Sequence, residues 1–507
     1  MITHLAANCM WMLAHWAAYL RYRRALGNPR RCQQRIIFRF LRRNARSQYG
    51  QRHQYAKLKS VREFQDAVPI VRYEDLEPWI ERIRHGVPNV LTTEPVLFLE
   101  KTSASSAESK YIPYTASLLR EFQNAVGAWM FDLFTGRPSL LAGAQYWSIS
   151  PLGRQREVTP GGLRVGIADD TEYLGPVARL ALRRALAVPS SVAWVEDIEE
   201  CRRITLQHLM SCRNLGFISV WNPSFLTLLT DGLPEGTRPL DYWPHLRLIS
   251  CWTSAASARF VGELCERFPG VEVQGKGLMA TEGVVSFPEL GRPAPSPAIT
   301  AHFLEFVDER GSCRLVDELE VGRRYRVLIT TGGGLARYCL GDLVEVVAPG
   351  AIEFVGRADL VCDLCGEKLS EAFVGRVLEK VLPEFRIDGF AMLATEWSQP
   401  PHYLLFVESD EASLIAERVE KLLRASVHYD YCRRLGQLGP VEGVCVVNAA
   451  RRYLRRCVAL GQRAGDVKPA ALRCEFDWRK WLVCETSAQK PQEVTGSHEA
   501  QEVLHVA

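Results

Sequence analysis

A chain of 507 residues, 47% apolar and 24% charged, is long enough for two or three domains with sizeable cores and too ordinary in composition to be fibrous or largely disordered. A net charge of +4 from nearly balanced acids and bases argues against the single-sign field that nucleic acid requires, and the arginine clusters at 21–24, 42–46 and 451–456 fall in helix-like contexts. Fifteen cysteines without a repeating spacing read as buried free thiols of a reducing, cytoplasmic compartment. Cys362 and Cys365, lacking a second pair or a histidine at zinc spacing, read as core filling.

The first twenty residues contain no Lys, Arg, Asp or Glu and are followed by Arg21, Arg23 and Arg24. That charge order is wrong for a signal peptide, and His4, Asn8 and His15 disfavour a spanning helix. A helix packed on the body is expected, with Trp11, Trp16 and Tyr19 also suited to weak contact with a membrane interface. Residues 29–84 read as helices with polar breaks. The apolar strand at 96–99 then runs into Lys101-Thr102-Ser103-Ala104-Ser105-Ser106-Ala107-Glu108-Ser109-Lys110, a loop of small hydroxyl residues laid out like a phosphate cradle but without Walker spacing.

Helices follow at 116–134, 179–184 and 198–210, a helix start at 170–173, and strands at 146–149, 217–221, 246–252 and 271–274, the last two separated by a helix to Phe268. This alternation predicts an α/β sheet with covered faces. Short strands at 303–306, 325–329, 343–347 and 352–355 suggest an antiparallel barrel or sheet. From Arg357 a small α+β unit is expected, with helices at 371–382 and 412–426 and strands at 389–393, 403–407 and 441–447. The expected division is 1–355 for a large N-terminal domain, 356–485 for a smaller C-terminal one, and 486–507 for a polar, disordered tail.

The chain is organised around Lys276-Gly277-Leu278-Met279-Ala280-Thr281-Glu282-Gly283, at the exit of the 271–274 strand. Glu282 offers carboxylate oxygen to a hard cation, and Thr281 a hydroxyl to a phosphoryl group. Asp342, fixed after Gly341, suits the vicinal hydroxyls of a ribose. Gly356-Arg357-Ala358-Asp359 and the glycine-flanked Lys468 follow. Taken singly, each is compatible with a surface turn or an ion pair.

In this order the segments resemble the adenylate-forming superfamily and, within it, the Gretchen-Hagen family of acyl-acid amido synthetases, over residues 24–482. Thr102 to Thr115 looks like the family's phosphate loop and its Lys-Leu-Ile-Pro continuation, Thr281-Glu282-Gly283 like its Ser/Thr-Glu motif, Arg337 to Asp342 like its Tyr-Arg-Tyr-Arg-x-Gly-Asp motif, and Gly356-Arg357 with Gly366 to Glu371 like its hinge and lid start. The resemblance implies a luciferase-like α/β fold: a large N-terminal domain of sheets, helices and a small β-barrel, capped by an α+β lid. It also implies adenylation of a small carboxylic acid by ATP with Mg²⁺, followed by acyl transfer to an amine. The residues it assigns are Ser103, Ser105 and Ser106 on phosphoryl oxygens, Thr281 on the α-phosphate, Glu282 on Mg²⁺, Asp342 on the ribose and Arg357 at the hinge. Lys468 acts on charge building up during adenylation, and Thr253 and Ser254 lie in the acyl pocket. Ala104 and Ala107 stand where the family usually has glycine, and Cys339 and Leu340 where arginine and valine are frequent. An acyl-CoA ligase, or a weakened nucleotide- or acyl-binding relative, fits the same residues.

Overall fold

The computed structural model describes residues 2–102, 110–148, 157–167, 173–195, 197–358, 360–365, 367–460, 462, 467–475 and 477–483. The expected alternation folds into a four-stranded parallel sheet, with Ala144–Trp147, Leu215–Ser219, Leu248–Cys251 and Glu272–Gly275 side by side in chain order. Successive side chains point to opposite faces. Phe217 and Leu248 join one core with Trp129 and Met130 of the helix Ala116–Gly136, while Ile218 and Ile249 join another with Leu209, Leu226 and Leu264 from helices on the far side. Covering both faces explains why these strands read as continuous apolar runs.

The N-terminal helix Ile2–Leu26 lies on the first of these faces, as expected of a packed element. Trp11 and Tyr22 are buried there, and the Asn8 amide donates to the carbonyls of Leu141 and Gly143, both at 2.9 Å. Leu13 and Trp16 are exposed on its outer side. Among the described residues no helix is long and apolar enough to cross a membrane.

The second half of the large domain is a five-stranded antiparallel sheet, ordered Cys313–Arg314, Phe303–Val307, Arg324–Thr330, Tyr338–Ala348 and Ala351–Arg357. The fourth strand begins five residues before its apolar run, so Tyr338 and Asp342 are strand residues. Lys101 and Thr102, expected in a loop, are strand as well: Val96–Thr102 pairs antiparallel with Lys110–Thr115. Pro113, opposite Leu99, is tolerated because its strand is the hairpin's edge and owes no N–H to a further neighbour.

In the C-terminal unit, Glu442–Cys445, His402–Val407, Ala391–Glu396 and Leu472–Arg473 form one sheet, the central pair antiparallel and both outer pairs parallel. Helices Glu371–Val381 and Ala412–Leu423 pack on one face, Ala449–Ala459 and Trp478–Leu482 on the other. One cysteine reading is corrected here. Cys362 is bonded to Cys474 (S–S 2.06 Å) across 112 residues, tying the segment after Ala351–Arg357 to the end of the C-terminal sheet. Twelve other cysteines among the described residues are free, including Cys365. The helix start at 170–173 and the tail from 486 fall wholly or largely outside the described residues.

Candidate active site

Met279–Ala280 pairs antiparallel with Gly283–Val284, which makes Thr281 and Glu282 the two-residue tip of a tight hairpin rather than a simple strand exit. Its geometry depends on close backbone approaches. Gly277 has φ +81°, and a Cβ there would fall 2.6 Å from the Ser286 carbonyl oxygen. A Cβ on Gly283 would meet His302 Nε2 at 2.7 Å. That same nitrogen accepts the Val284 N–H at 3.1 Å, so the proton is on Nδ1, which faces the Glu121 carboxylate at 2.8 Å. Glu121 also accepts the Gly332 N–H at 2.9 Å. One carboxylate and one neutral imidazole thus brace both the Thr-Glu tip and the glycine-rich turn. On the other side the Tyr114 hydroxyl, stacked behind Phe98, donates to the Thr281 carbonyl at 2.5 Å.

Glu282, at the tip, is half-buried. Burial pushes its carboxyl above the usual carboxylate range, the Asp342 charge pushes it further, and Arg357 and Lys468 act in the opposite sense. The Tyr338 hydroxyl donates to Glu282, and its own pKa is raised, first by burial and then by that carboxylate. Asp342 is buried and stands opposite Arg357 in the strand ladder, with guanidinium and carboxylate 3.7 Å apart, while Arg357 also donates to the Leu340 carbonyl at 3.1 Å.

Lys468 comes from the C-terminal unit, its amine 5.2 Å from the Trp252 ring. Two side-chain donors hold that segment by its carbonyls: Asn222 Nδ2 to Val467 at 3.1 Å, and the Tyr453 hydroxyl to Lys468 at 2.8 Å. Asp342, Arg357 and Lys468, spread over more than a hundred positions of sequence, therefore all lie near enough for their charges to act on Glu282, next to Thr281. Two carboxylates with an arginine and a lysine around a hydroxyl-bearing tip suit a polyanion accompanied by a divalent cation.

The remaining expected residues are placed differently. Thr253 Oγ1 lies close over Gly275, where a Cβ would approach it to 2.5 Å. Ser254 donates to Glu353 at 3.0 Å and so faces the antiparallel sheet. Ser103, Ser105 and Ser106, with Ala104 and Ala107, lie outside the described residues, as does Asp359. Arg337 does not face the cluster: it is buried against Glu305 and donates to the Gln65 and Val68 carbonyls. Tyr338 was within reach of sequence reasoning, being inside a quoted motif. The Glu121–His302 brace was not, since its members are 181 residues apart.

Three family models match the chain in succession: GH3 family N-terminal domain over residues 20–238, GH3 family central domain over 297–357, and GH3 family C-terminal domain over 371–473. The chain is 25% identical over 466 residues to an indole-3-acetic acid-amido synthetase, GH3.8, of Oryza sativa subsp. indica, covering 74% of this chain and 75% of that protein. It is 23% identical over 502 residues to indole-3-acetic acid-amido synthetase GH3.10 of Arabidopsis thaliana, covering 79% and 84%. Among solved structures, the GH3.15 acyl acid amido synthetase superposes with a TM-score of 0.74 at 17% identity, over 89% of this chain and 92% of that one. A 2-hydroxyisobutyryl-CoA ligase in complex with 2-HIB-AMP shares the fold at a TM-score of 0.53 and 12% identity, over 94% and 90%.

Proposed function

The chain belongs to the GH3 family, and on that basis we propose that it is an ATP-dependent ligase that adenylates a small carboxylic acid and passes the acyl group to the amine of an amino acid. A carboxylate is a poor acyl donor because expelling its oxygen is unfavourable. Attack on the α-phosphorus of ATP releases pyrophosphate and converts that oxygen into a phosphate leaving group, and the amine then displaces AMP. What supports this reading is that the charges of Asp342, Arg357 and Lys468 all act on Glu282, with Arg357 3.7 Å from Asp342.

In the proposal Asp342 accepts from the ribose hydroxyls, and Arg357, against it, orients the nucleotide. Lys468 offsets the negative charge that builds between carboxylate and α-phosphate. Thr281, its backbone held by Tyr114, contacts the α-phosphate. Ser103, Ser105 and Ser106, in the hairpin connection, hold the departing pyrophosphate. Glu282 is the ligand for Mg²⁺: its oxygen is the right donor for a hard cation, and the like charge of Asp342 beside it is relieved when a cation arrives. When bound, Mg²⁺ supplies charge neutralisation at the phosphates. Release of the lid segment that carries Lys468 makes room for the amine in the second half-reaction. Thr253 lies toward the acyl pocket and Ser254 at its margin. Twelve free cysteines among the described residues favour a reducing, cytoplasmic setting, and the Cys362–Cys474 disulfide weighs against it.

Mass analysis of products after incubation with ATP, acid, an amino-acid mixture and coenzyme A tests the reading. Acyl-amino acid and AMP are expected. An acyl-CoA product in place of the amide would overturn the assigned acceptor.

A further inference from the structure

The parallel sheet changes character along its strands. Partners in register share a face, so Trp147, Ser219, Ser250 and Gln274, aligned across the four strands, form one row. Two residues earlier the two central strands of the same face are apolar, Phe217 beside Leu248, with Gln145 and Glu272 on the outer strands. The polar row therefore lies at the C-terminal ends of the strands, where open α/β sheets bind ligands.

Lys276, two residues beyond Gln274, reaches over this row. Its amine donates to Ser219 Oγ at 2.6 Å and to the Ser250 carbonyl at 3.4 Å. The rings of Trp221, Trp129 and Trp147 surround it at 5.1, 5.5 and 5.7 Å. The residue is 2% exposed, and among the described residues no carboxylate pairs with it. Beneath it the Ser250 hydroxyl is buried without a hydrogen-bond partner. Burial lowers the amine to about 7. Aromatic faces and neutral oxygens compensate a buried cation only in part, and an aliphatic side chain would fill this space at less cost. A retained amine above an unused hydroxyl has the makings of a recognition point for a ligand anion.

The surroundings say which ligand. Trp221 packs on Trp252 with ring centroids 5.5 Å apart, both half-buried, and Trp252 has the Lys468 amine on it. Two amines thus flank one aromatic pair, Lys468 at the nucleotide end and Lys276 at the far end. We propose, resting on the adenylation reading, that Lys276 with Ser219 and Ser250 is the specificity-determining end of the acyl pocket, and that the acid carries a second carboxylate at the end remote from the one adenylated. The tryptophans sheath the apolar or aromatic body between the two carboxylates.

The test is acid-dependent ATP–pyrophosphate exchange with matched probes, hexanoate against adipate and phenylacetate against 4-carboxyphenylacetate, within a wider panel of monocarboxylic acids, for wild type and Lys276→Met. Wild type is expected to favour the dicarboxylate of each pair by about tenfold or more in kcat/KM, chiefly through KM, and Lys276→Met to reverse that preference while keeping exchange with the monoacid. Monoacids preferred by wild type, or a ratio unchanged in Lys276→Met, would overturn the assignment. No exchange with any acid would overturn the adenylation reading and this inference with it. Should Lys276→Met not fold, wild type alone decides: adipate should raise Tm more at pH 6.5 than at pH 9, where the amine is uncharged, and equal shifts at both would refute the proposal.

Discussion

Glu305 and Glu282 are both carboxylates withdrawn into the same large domain, and their surroundings treat them oppositely. Glu305 accepts from Arg337 at 3.2 Å and from the Gln65 amide at 3.0 Å, and Arg337 spends further donors on two backbone carbonyls. Every charged neighbour of Glu305 pulls against the cost of burial. Glu282 has a second carboxylate, Asp342, acting on it, and its cationic neighbours are Arg357, at the end of a strand of the antiparallel sheet, and Lys468 of the C-terminal unit. A buried pair whose members satisfy each other holds helices to a sheet. A cluster with like charges facing one another holds a position open for something positive, at some expense in stability.

That contrast is open to direct attack. Glu305→Ala leaves Arg337 buried without its partner, so unfolding free energy should fall by roughly 3–5 kcal/mol in denaturant titration, with exchange activity per folded molecule unchanged. A comparable loss of activity at full stability would erase the distinction. Lys468→Ala should do the reverse. Its side chain is exposed, so Tm should hold, while single-turnover adenylation slows on the order of a hundredfold. Asp342→Asn is the gentlest probe. It should raise the KM for ATP about tenfold and, by removing the charge that raises Glu282, move the acid limb of the exchange pH profile to lower pH. A limb that stays in place would mean the two carboxylates do not communicate.

Much of this was legible in the chain itself. The strands of both large-domain sheets follow apolar runs bounded by turn residues, and Thr281-Glu282, Asp342 and Lys468 stand out because glycines flank them and their order resembles the family's. What stayed hidden was made by pairing at a distance. Cys362, paired with Leu369, is bonded to Cys474, just past the strand that pairs with Ala391–Glu396, a meeting across 112 residues that no local pattern encodes. Lys101, Thr102 and Lys110 read as loop because their polar side chains continue the run of hydroxyl residues, although among the described residues they pair across two antiparallel strands. Lys276 was visible as a residue of the central stretch but not as a buried one, since its cage comes from four separate elements.

The most direct test is ATP–pyrophosphate exchange by Glu282→Gln, read together with its melting temperature. A carboxyl raised above its ordinary pKa in the folded state costs stability once the pH exceeds the ordinary value, and neutral glutamine carries no such cost. The variant should lose acid- and Mg²⁺-dependent exchange while melting higher than wild type at neutral pH, the gain shrinking as the pH falls into the carboxylate range. Exchange at the wild-type rate in the folded variant would contradict the account.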